Sequence, residues 1–484
     1  MSEFSDLLTL LVSEKEIKIY SMAKYCGMDR STLYKLMNGK RNPPSKDVFQ
    51  KMSDYMHLTP AEHSAFQTAY EMSIIGRNAY YRRKGVEEFL LQFPSQNNVS
   101  TNPFPQFYTM DFSGNPMKKE FQPIHSKLDL YQIVSQLFIR EAVLSDGCVS
   151  MLLQPDNKFI LQCLEGLRER SDTFKIEHIF CLNSIYELSD KHHSLQLDYL
   201  ANILPLYIRA LNYHPFYFYE NIPAHCYSFN LFPYMILAGD TAILCTSDYE
   251  NGLLFHDSGT VFMLRNLFET YKKGCKPLFH LVSSVEEKCS LIEQMSVHGS
   301  TTYIIQPEPW LYASFSDSLI DRTICREIPQ RESVIASLSE CSCSCRKDMS
   351  GKEFIHFNTR QGILTFAETG MVNEFSRELY NPLTISQRIE LLKEVEKDCL
   401  VNPHYLLKDP LDALPQNFHL CINSGSGYLL FQNAGGQNVY LIIEESRLLE
   451  TFLDYAENLA ESCCLSTEET MEFLHTVISL LEEA

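Results

Sequence analysis

The chain has 484 residues, 45% apolar and 21% charged, with a formal net charge of −20. That length exceeds what one hydrophobic core serves, so about two to four domains are expected, and the composition excludes a disordered chain. The acidic total argues against general nucleic-acid affinity, because a phosphate backbone repels an acidic surface.

No apolar run approaches the roughly 18–20 residues that span a bilayer. The opening "MSEFSDLLTL" has neither a basic n-region nor a small-residue cleavage site. The 16 cysteines follow no disulfide-scaffold spacing. A cytoplasmic protein with reduced thiols is the expectation. The charge is unevenly placed. Residues 1–84 carry 13 Lys and Arg against 9 Asp and Glu, a net of +4, and residues 15–51 alone reach +6. Residues 85–484 stand at −24.

Phe4, Leu7, Leu8 and Leu11 recur at helical spacing and predict a first helix. A short helix from about Tyr20 to Cys26 follows, ended by Gly27, the residue type that most readily turns left-handed past a helix C-terminus. Asp29 is placed to cap a third helix, Arg30 to about Met37, which Asn38-Gly39 stops and Pro43-Pro44 forbids continuing. Thr59-Pro60-Ala61-Glu62 opens a further helix as a capping box with proline at its first position.

Within the second and third helices, Ala23 sits where the pair crosses, Gly27 makes the turn and Leu33 anchors the next helix. Met22, Cys26, Met28 and Leu36 fill the small core between them. This spacing, with the tail "STLYKLMNGKRNP", resembles the helix-turn-helix of Cro/C1-type (XRE family) regulators over about residues 4–72. The resemblance implies that the N-terminal end of the third helix enters the major groove of double-stranded DNA, with base contacts from Arg30, Ser31, Thr32, Tyr34 and Lys35. Arg30 suits a guanine edge, and Ser31 and Thr32 suit base edges or phosphates. Lys40 and Arg41 would lie near the backbone and add affinity without sequence information. On the charges alone, a solvated basic face is the plainer reading; the Ala23–Gly27–Leu33 spacing speaks against it. The module is assigned residues 1–75.

Residues 76–107 read as a helical connector and linker. "RNAYYRRKGVEEFLLQF" (77–93) is amphipathic, and its Arg82-Arg83-Lys84 run is either a solvated face or an extension of the DNA contact. "PSQNNVSTNPFPQF" (94–107) is rich in Pro, Asn and Ser.

The remainder reads as a large α/β region of two similar halves, residues 108–290 and 291–484. Strands are expected at 148–156, running into a helix, at 174–182 and at 216–220, with a helix over 194–211 interrupted near Pro205. Residues 232–273 read as strand, Gly-Asp turn, strand, loop, strand and helix, and 418–458 repeat that order. The closing helices share Leu264, Phe268 and Tyr271 against Leu448, Phe452 and Tyr455. This pairing resembles the phospholipase D-like fold, whose two halves each offer an H-x-K-x4-D motif. The chemistry departs from that family. With Asp240 as the motif aspartate, Pro233 and Met235 stand at the histidine and lysine positions; in the second copy His419 fits, but Cys421 and Ser426 replace lysine and aspartate. His125-Ser126-Lys127 lacks its aspartate, with Gln132 in that place. Phosphodiester catalysis is therefore not expected.

Cys341, Cys343 and Cys345 would share one side of a strand as a soft-metal or redox cluster, but no CxxC pair or neighbouring histidine completes a zinc site, and loop thiols are the plainer reading. "KHHS" (191–194) reads as a solvated turn. No metal, cofactor or catalytic residue is expected. The leading reading is a sequence-specific regulator that binds a palindromic operator as a homodimer, its acidic α/β region serving dimer contacts and sensing an unknown effector. The alternatives are a peptide-sensing regulator with a helical-repeat C-terminal domain, and a phospholipase D-like phosphodiesterase fused to a DNA-binding domain.

Overall fold

The computed structural model describes residues 2–41, 44–93, 120–167, 174–183, 195–220, 230–282, 285–297, 301–349, 351–375 and 377–483. The 94–107 linker, the 191–194 turn and Pro43 lie outside these residues. The chain divides into two compact units, one spanning Met1–Gly85 and the other Val86–Glu187 with Leu195–Ala484. No helix among the described residues is long and apolar enough to cross a membrane.

The first unit holds α1 (Glu3–Glu14), α2 (Ile19–Tyr25), α3 (Arg30–Met37), α4 (Lys46–Met56), α5 (Pro60–Ile75) and the start of α6 (Arg77–Leu91). The capping box at α5 is present, Thr59 and Glu62 satisfying each other's backbone N–H groups. Aromatic rings close the core. Phe66 stacks on Phe4 at 5.2 Å and on Phe49 at 5.0 Å, and Phe49 stacks on Tyr70 at 4.4 Å.

In the second unit the chain runs through β1 (Phe121–Ile124), α7 (Lys127–Ala142), β2 (Cys148–Leu152), α8 (Lys158–Glu165), β3 (Lys175–Leu182), α9 (Leu195–Ile208), β4 (Asn212–Tyr219), β5 (Tyr234–Ala238), β6 (Thr241–Cys245), β7 (Gly252–Phe255), α10 (Ser258–Lys273) and β8 (Lys276–Pro277). It continues through β9 (Phe279–Val282), α11 (Val285–Val297), β10 (Thr301–Ile305), α12 (Asp317–Thr323), α13 (Arg331–Met349), β11 (Glu353–Asn358), α14 (Arg360–Thr369) and α15 (Ile385–Asp398). The last elements are β12 (His404–Leu406), β13 (His419–Ile422), β14 (Gly427–Gln432), β15 (Asn438–Ile443), α16 (Ser446–Cys463) and α17 (Thr467–Glu483).

Among the described residues the strands form two sheets, ordered β1-β7-β6-β5-β2-β3-β4-β8 and β12-β11-β10-β13-β14-β15-β9. Read from β9, the second order matches the first strand for strand, β8 alone having no counterpart. The directions agree as well. β2, β3 and β4 are parallel, as are β10, β11 and β12, and the remaining neighbours pair antiparallel in both sheets. The region is two copies of one α/β fold, as the sequence pattern suggests, and two sheets rather than a helical repeat. Parallel strands need crossovers, which α8 and α9 supply in the first copy, so β3 is buried along nearly its whole length. The chain leaves the first sheet at Pro277 and enters the second at Phe279. One core joins the copies: Val149, Met151 and Ile236 of the first sheet share it with Leu420, Leu429 and Leu441 of the second, with α9, α16 and the end of α6 packed in.

Two sequence expectations need correction. α9 is not interrupted at Pro205. The proline forfeits only its own donor, its carbonyl still accepts from the Arg209 N–H at 2.9 Å, and Leu204, Leu206 and Tyr207 bury around it. Cys341, Cys343 and Cys345 lie on a helix, α13, not on a strand or loop. Spacing of i and i+4 puts Cys341 and Cys345 in the core, while Cys343 is half-buried.

His178 of β3 is wholly buried, with Nε2 3.0 Å from the Leu153 carbonyl and Nδ1 2.7 Å from the Tyr213 hydroxyl. The carbonyl only accepts, so Nε2 carries the proton and Tyr213 donates to Nδ1. Burial pushes the ring down to about 4 from 6.5. A histidine held neutral by the fold contributes stability that is complete above its unfolded value and is lost as pH falls through the folded one. Thermal unfolding of the second unit should therefore show midpoints that drop between pH 6.5 and about 4, and His178→Gln should flatten that limb.

Candidate nucleic-acid interface

The geometry of α2 and α3 begins with what they bury. Met22, Ala23 and Cys26 face inward from the first helix and its end, and Leu33 and Leu36 from the second, all nearly solvent-free. Between them Gly27 takes φ +68°, and the Met28 N–H returns to the Ala23 carbonyl at 2.9 Å. A methyl group at Gly27 would meet nothing within 4 Å. The whole cost of Gly27→Ala is thus left-handed backbone, about 1–2 kcal/mol. A denaturant melt of the first unit should register that loss with no other change.

Inward Leu33 and Leu36 turn Arg30, Ser31, Tyr34 and Lys35 to solvent and leave Thr32 half-exposed; Lys40 and Arg41 follow, also exposed. Asp29 organises this face. Its carboxylate accepts from the Thr32 N–H at 2.8 Å, from the Ser31 hydroxyl at 2.6 Å and from the Thr32 hydroxyl at 2.8 Å. Those bonds, Ser31's first, hold the Asp29 carboxyl well below the usual range. Arg41 donates to the Thr32 hydroxyl oxygen at 2.9 Å, which ties the following loop to the helix start. The Arg30 guanidinium lies 5.4 Å over the Tyr34 ring and 3.3 Å from its hydroxyl. At the other end, Thr9 of α1 caps the Met37 carbonyl at 3.0 Å.

The predicted contact residues therefore form one exposed, cationic face. Asp29 as the hub of that face was not read from the sequence beyond its cap; the signal present was an acidic cap followed by two hydroxyl residues. Arg82, Arg83 and Lys84 lie on α6.

Of the degenerate phosphodiesterase motif positions, His419 and Asp240 each lie against other charged residues. His419 opens β13 and is buried, 3.1 Å from Glu308 Oε1 and 4.0 Å from Glu374 Oε1. Burial pushes the Glu374 carboxyl up to about 7, partly offset by His419. Asp240 occupies the turn between β5 and β6 and pairs with Arg140 at 3.0 Å. His125 lies exposed before α7.

Residues 10–63 match the family model described as helix-turn-helix. A search of curated proteins finds no significant match to the chain. Among solved structures, TrmBL2, an archaeal chromatin protein described with a novel mode of DNA binding, aligns at 12% identity and a TM-score of 0.22, over 56% of this chain and 99% of that one. Phosphatidylserine synthase of Haemophilus influenzae Rd KW20 aligns at 10% identity and 0.24, over 83% and 97%. Polyphosphate kinase from Porphyromonas gingivalis aligns at 11% identity and 0.24, over 81% and 62%.

Proposed function

From the helix-turn-helix at residues 10–63, we propose that the chain is a sequence-specific DNA-binding transcriptional regulator. The observation that carries this reading is the exposed face of α3, where Arg30, Ser31, Thr32, Tyr34 and Lys35 stand at the end that enters a major groove, with Lys40 and Arg41 beside it. The net +6 over residues 15–51 supplies attraction to phosphate within an otherwise acidic chain. The domains proposed are 1–75 for DNA binding, 76–107 as connector and linker, and two halves of a region for dimerisation and effector sensing, their division moved from the expected 290/291 to between Pro277 and Phe279, where the chain passes from the first sheet to the second. The protein acts in the cytoplasm and without catalysis, since Pro233, Met235, Cys421 and Ser426 occupy the positions that phosphodiester transfer needs.

One eight-residue recognition helix covers too little DNA for useful selectivity, so two copies bind a palindromic operator. Helix α10 supports a dimer surface on the first half. It buries Val261, Leu264 and Phe268 but exposes Phe262, Met263, Leu267 and Tyr271, an apolar face of the kind that marks an interaction site. Phe262→Glu with Leu267→Glu should convert a sedimenting dimer to a monomer; an unchanged mass would remove α10 from the interface. The function itself is tested by selecting bound sequences from random duplex DNA with the full-length protein, against an Arg30→Ala/Lys35→Ala control. A palindromic motif lost in the control is the expected result, and equal enrichment by both proteins would overturn the reading.

A further inference from the structure

Three residues outside the DNA-binding face meet at the edge of the second sheet. His356 lies in β11, His404 opens the edge strand β12, and Asp398 closes α15. The parallel register sets His356 opposite His404, and their rings stack with centroids 4.1 Å apart. Asp398 Oδ2 lies 2.8 Å from His404 Nε2 and 3.8 Å from His356 Nε2. The histidine side chains are 1% and 3% exposed, whereas that of Asp398 keeps 22%. Buried polar nitrogens ordinarily have partners. Here neither ring nitrogen of His356 has a hydrogen-bond partner, nor has Nδ1 of His404.

We propose that His356, His404 and Asp398 form a binding site for a divalent transition-metal cation of the zinc type. One ligand atom from each residue lies within 4.8 Å of the others. Tetrahedral zinc, with bonds of about 2.0–2.2 Å, holds its donor atoms roughly 3.3 Å apart. The two separations from Asp398, 2.8 and 3.8 Å, straddle that spacing; the stacked rings must also swing apart so that both aim a nitrogen lone pair at one ion. Two imidazoles with one carboxylate select zinc, iron(II), cobalt(II) or copper(II) over magnesium or calcium, which take oxygen donors. The carboxylate is already oriented. Asn402 donates to Asp398 Oδ1 at 2.8 Å, and its own carbonyl accepts from the Phe354 N–H at 3.2 Å, the outer support that metal ligands need. A bound cation would fasten the end of α15 to the edge of the sheet, with the partly exposed Asp398 side open to a fourth ligand.

The chain holds one tryptophan, Trp310, and its ring centroid lies 6.1 Å from that of His356. A quenching cation bound at the site is therefore read by intrinsic fluorescence. The experiment titrates chelator-treated full-length protein with cobalt(II), following Trp310 emission and visible absorption, and repeats it with zinc(II) by calorimetry. One equivalent of cobalt should quench Trp310 and give tetrahedral d–d bands without the intense near-ultraviolet bands of thiolate ligation. His356→Ala and His404→Gln should abolish both signals, and Asn402→Ala should weaken binding about 10–100-fold, each variant checked for an unchanged far-ultraviolet spectrum. Folded wild-type protein that binds no cobalt, or that binds it without quenching Trp310, would overturn the proposal. So would His356→Ala protein that binds as wild type does, or thiolate bands that move the site to the cysteines. The wild-type titration decides even where a variant fails to fold.

Discussion

Arg30→Ala is expected to weaken operator binding about 10–100-fold, or 1–3 kcal/mol, and to relax the preference at one base position. Arg30 leans on Tyr34 through a 3.3 Å hydrogen bond at the start of α3, so its guanidinium is held near where a groove would receive it. Lys40→Ala and Arg41→Ala should behave differently. A phosphate contact carries no sequence information, so each should weaken binding to all sequences alike and lower the salt slope by about one. The check is a set of binding isotherms for operator and scrambled duplex at several salt concentrations. Arg30→Ala protein that keeps its discrimination would move base reading off this helix. A slope unchanged in both loop variants would remove the phosphate contacts.

Phe66→Ala should cost about 3–5 kcal/mol, because its ring lies fully buried against both Phe4 and Phe49. Stacked aromatic pairs add about 0.5–1.5 kcal/mol each beyond burial, and the cavity opens at the centre of a small domain. Against a typical total of about 5–15 kcal/mol, this removes a large part of the first unit's stability. A two-transition melt is the readout: the transition of the first unit should move down and that of the second stay in place. A single shared transition would show that the units do not unfold separately.

The helix-turn-helix was legible because its determinants are local. Ala23, Gly27 and Leu33 fall within one supersecondary unit, and each specifies its own geometry. The duplication was legible for a similar reason, since residues 232–273 and 418–458 each contain a contiguous strand–turn–strand–loop–strand–helix unit. The closing helices also show where the pattern misleads: Tyr455 is buried, whereas its counterpart Tyr271 is exposed. Spacing tells which residues share a face, not whether another element covers it. Cys341, Cys343 and Cys345 went astray because i, i+2, i+4 fits a strand face, while the i, i+4 pair alone fits a helix. The cluster of His356, Asp398 and His404 left no trace in the sequence. Its members are brought together by the pairing of β11 with β12 and by where α15 ends, and such long-range register has no local signature.

The Asp29 hub would restrict what α3 could say to DNA. Ser31 and Thr32 each have one hydroxyl proton, and both protons are spent on the same carboxylate. With one of Thr32's two lone pairs taken by Arg41, what these two hydroxyls have left is acceptor capacity, most of it on the exposed Ser31. If α3 enters a major groove, Ser31 would, while that network holds, be matched to the exocyclic amines of adenine and cytosine and mismatched to the carbonyls of guanine and thymine. A serine usually indifferent to the base opposite it would then be given a preference by an aspartate two residues away that need never touch the duplex.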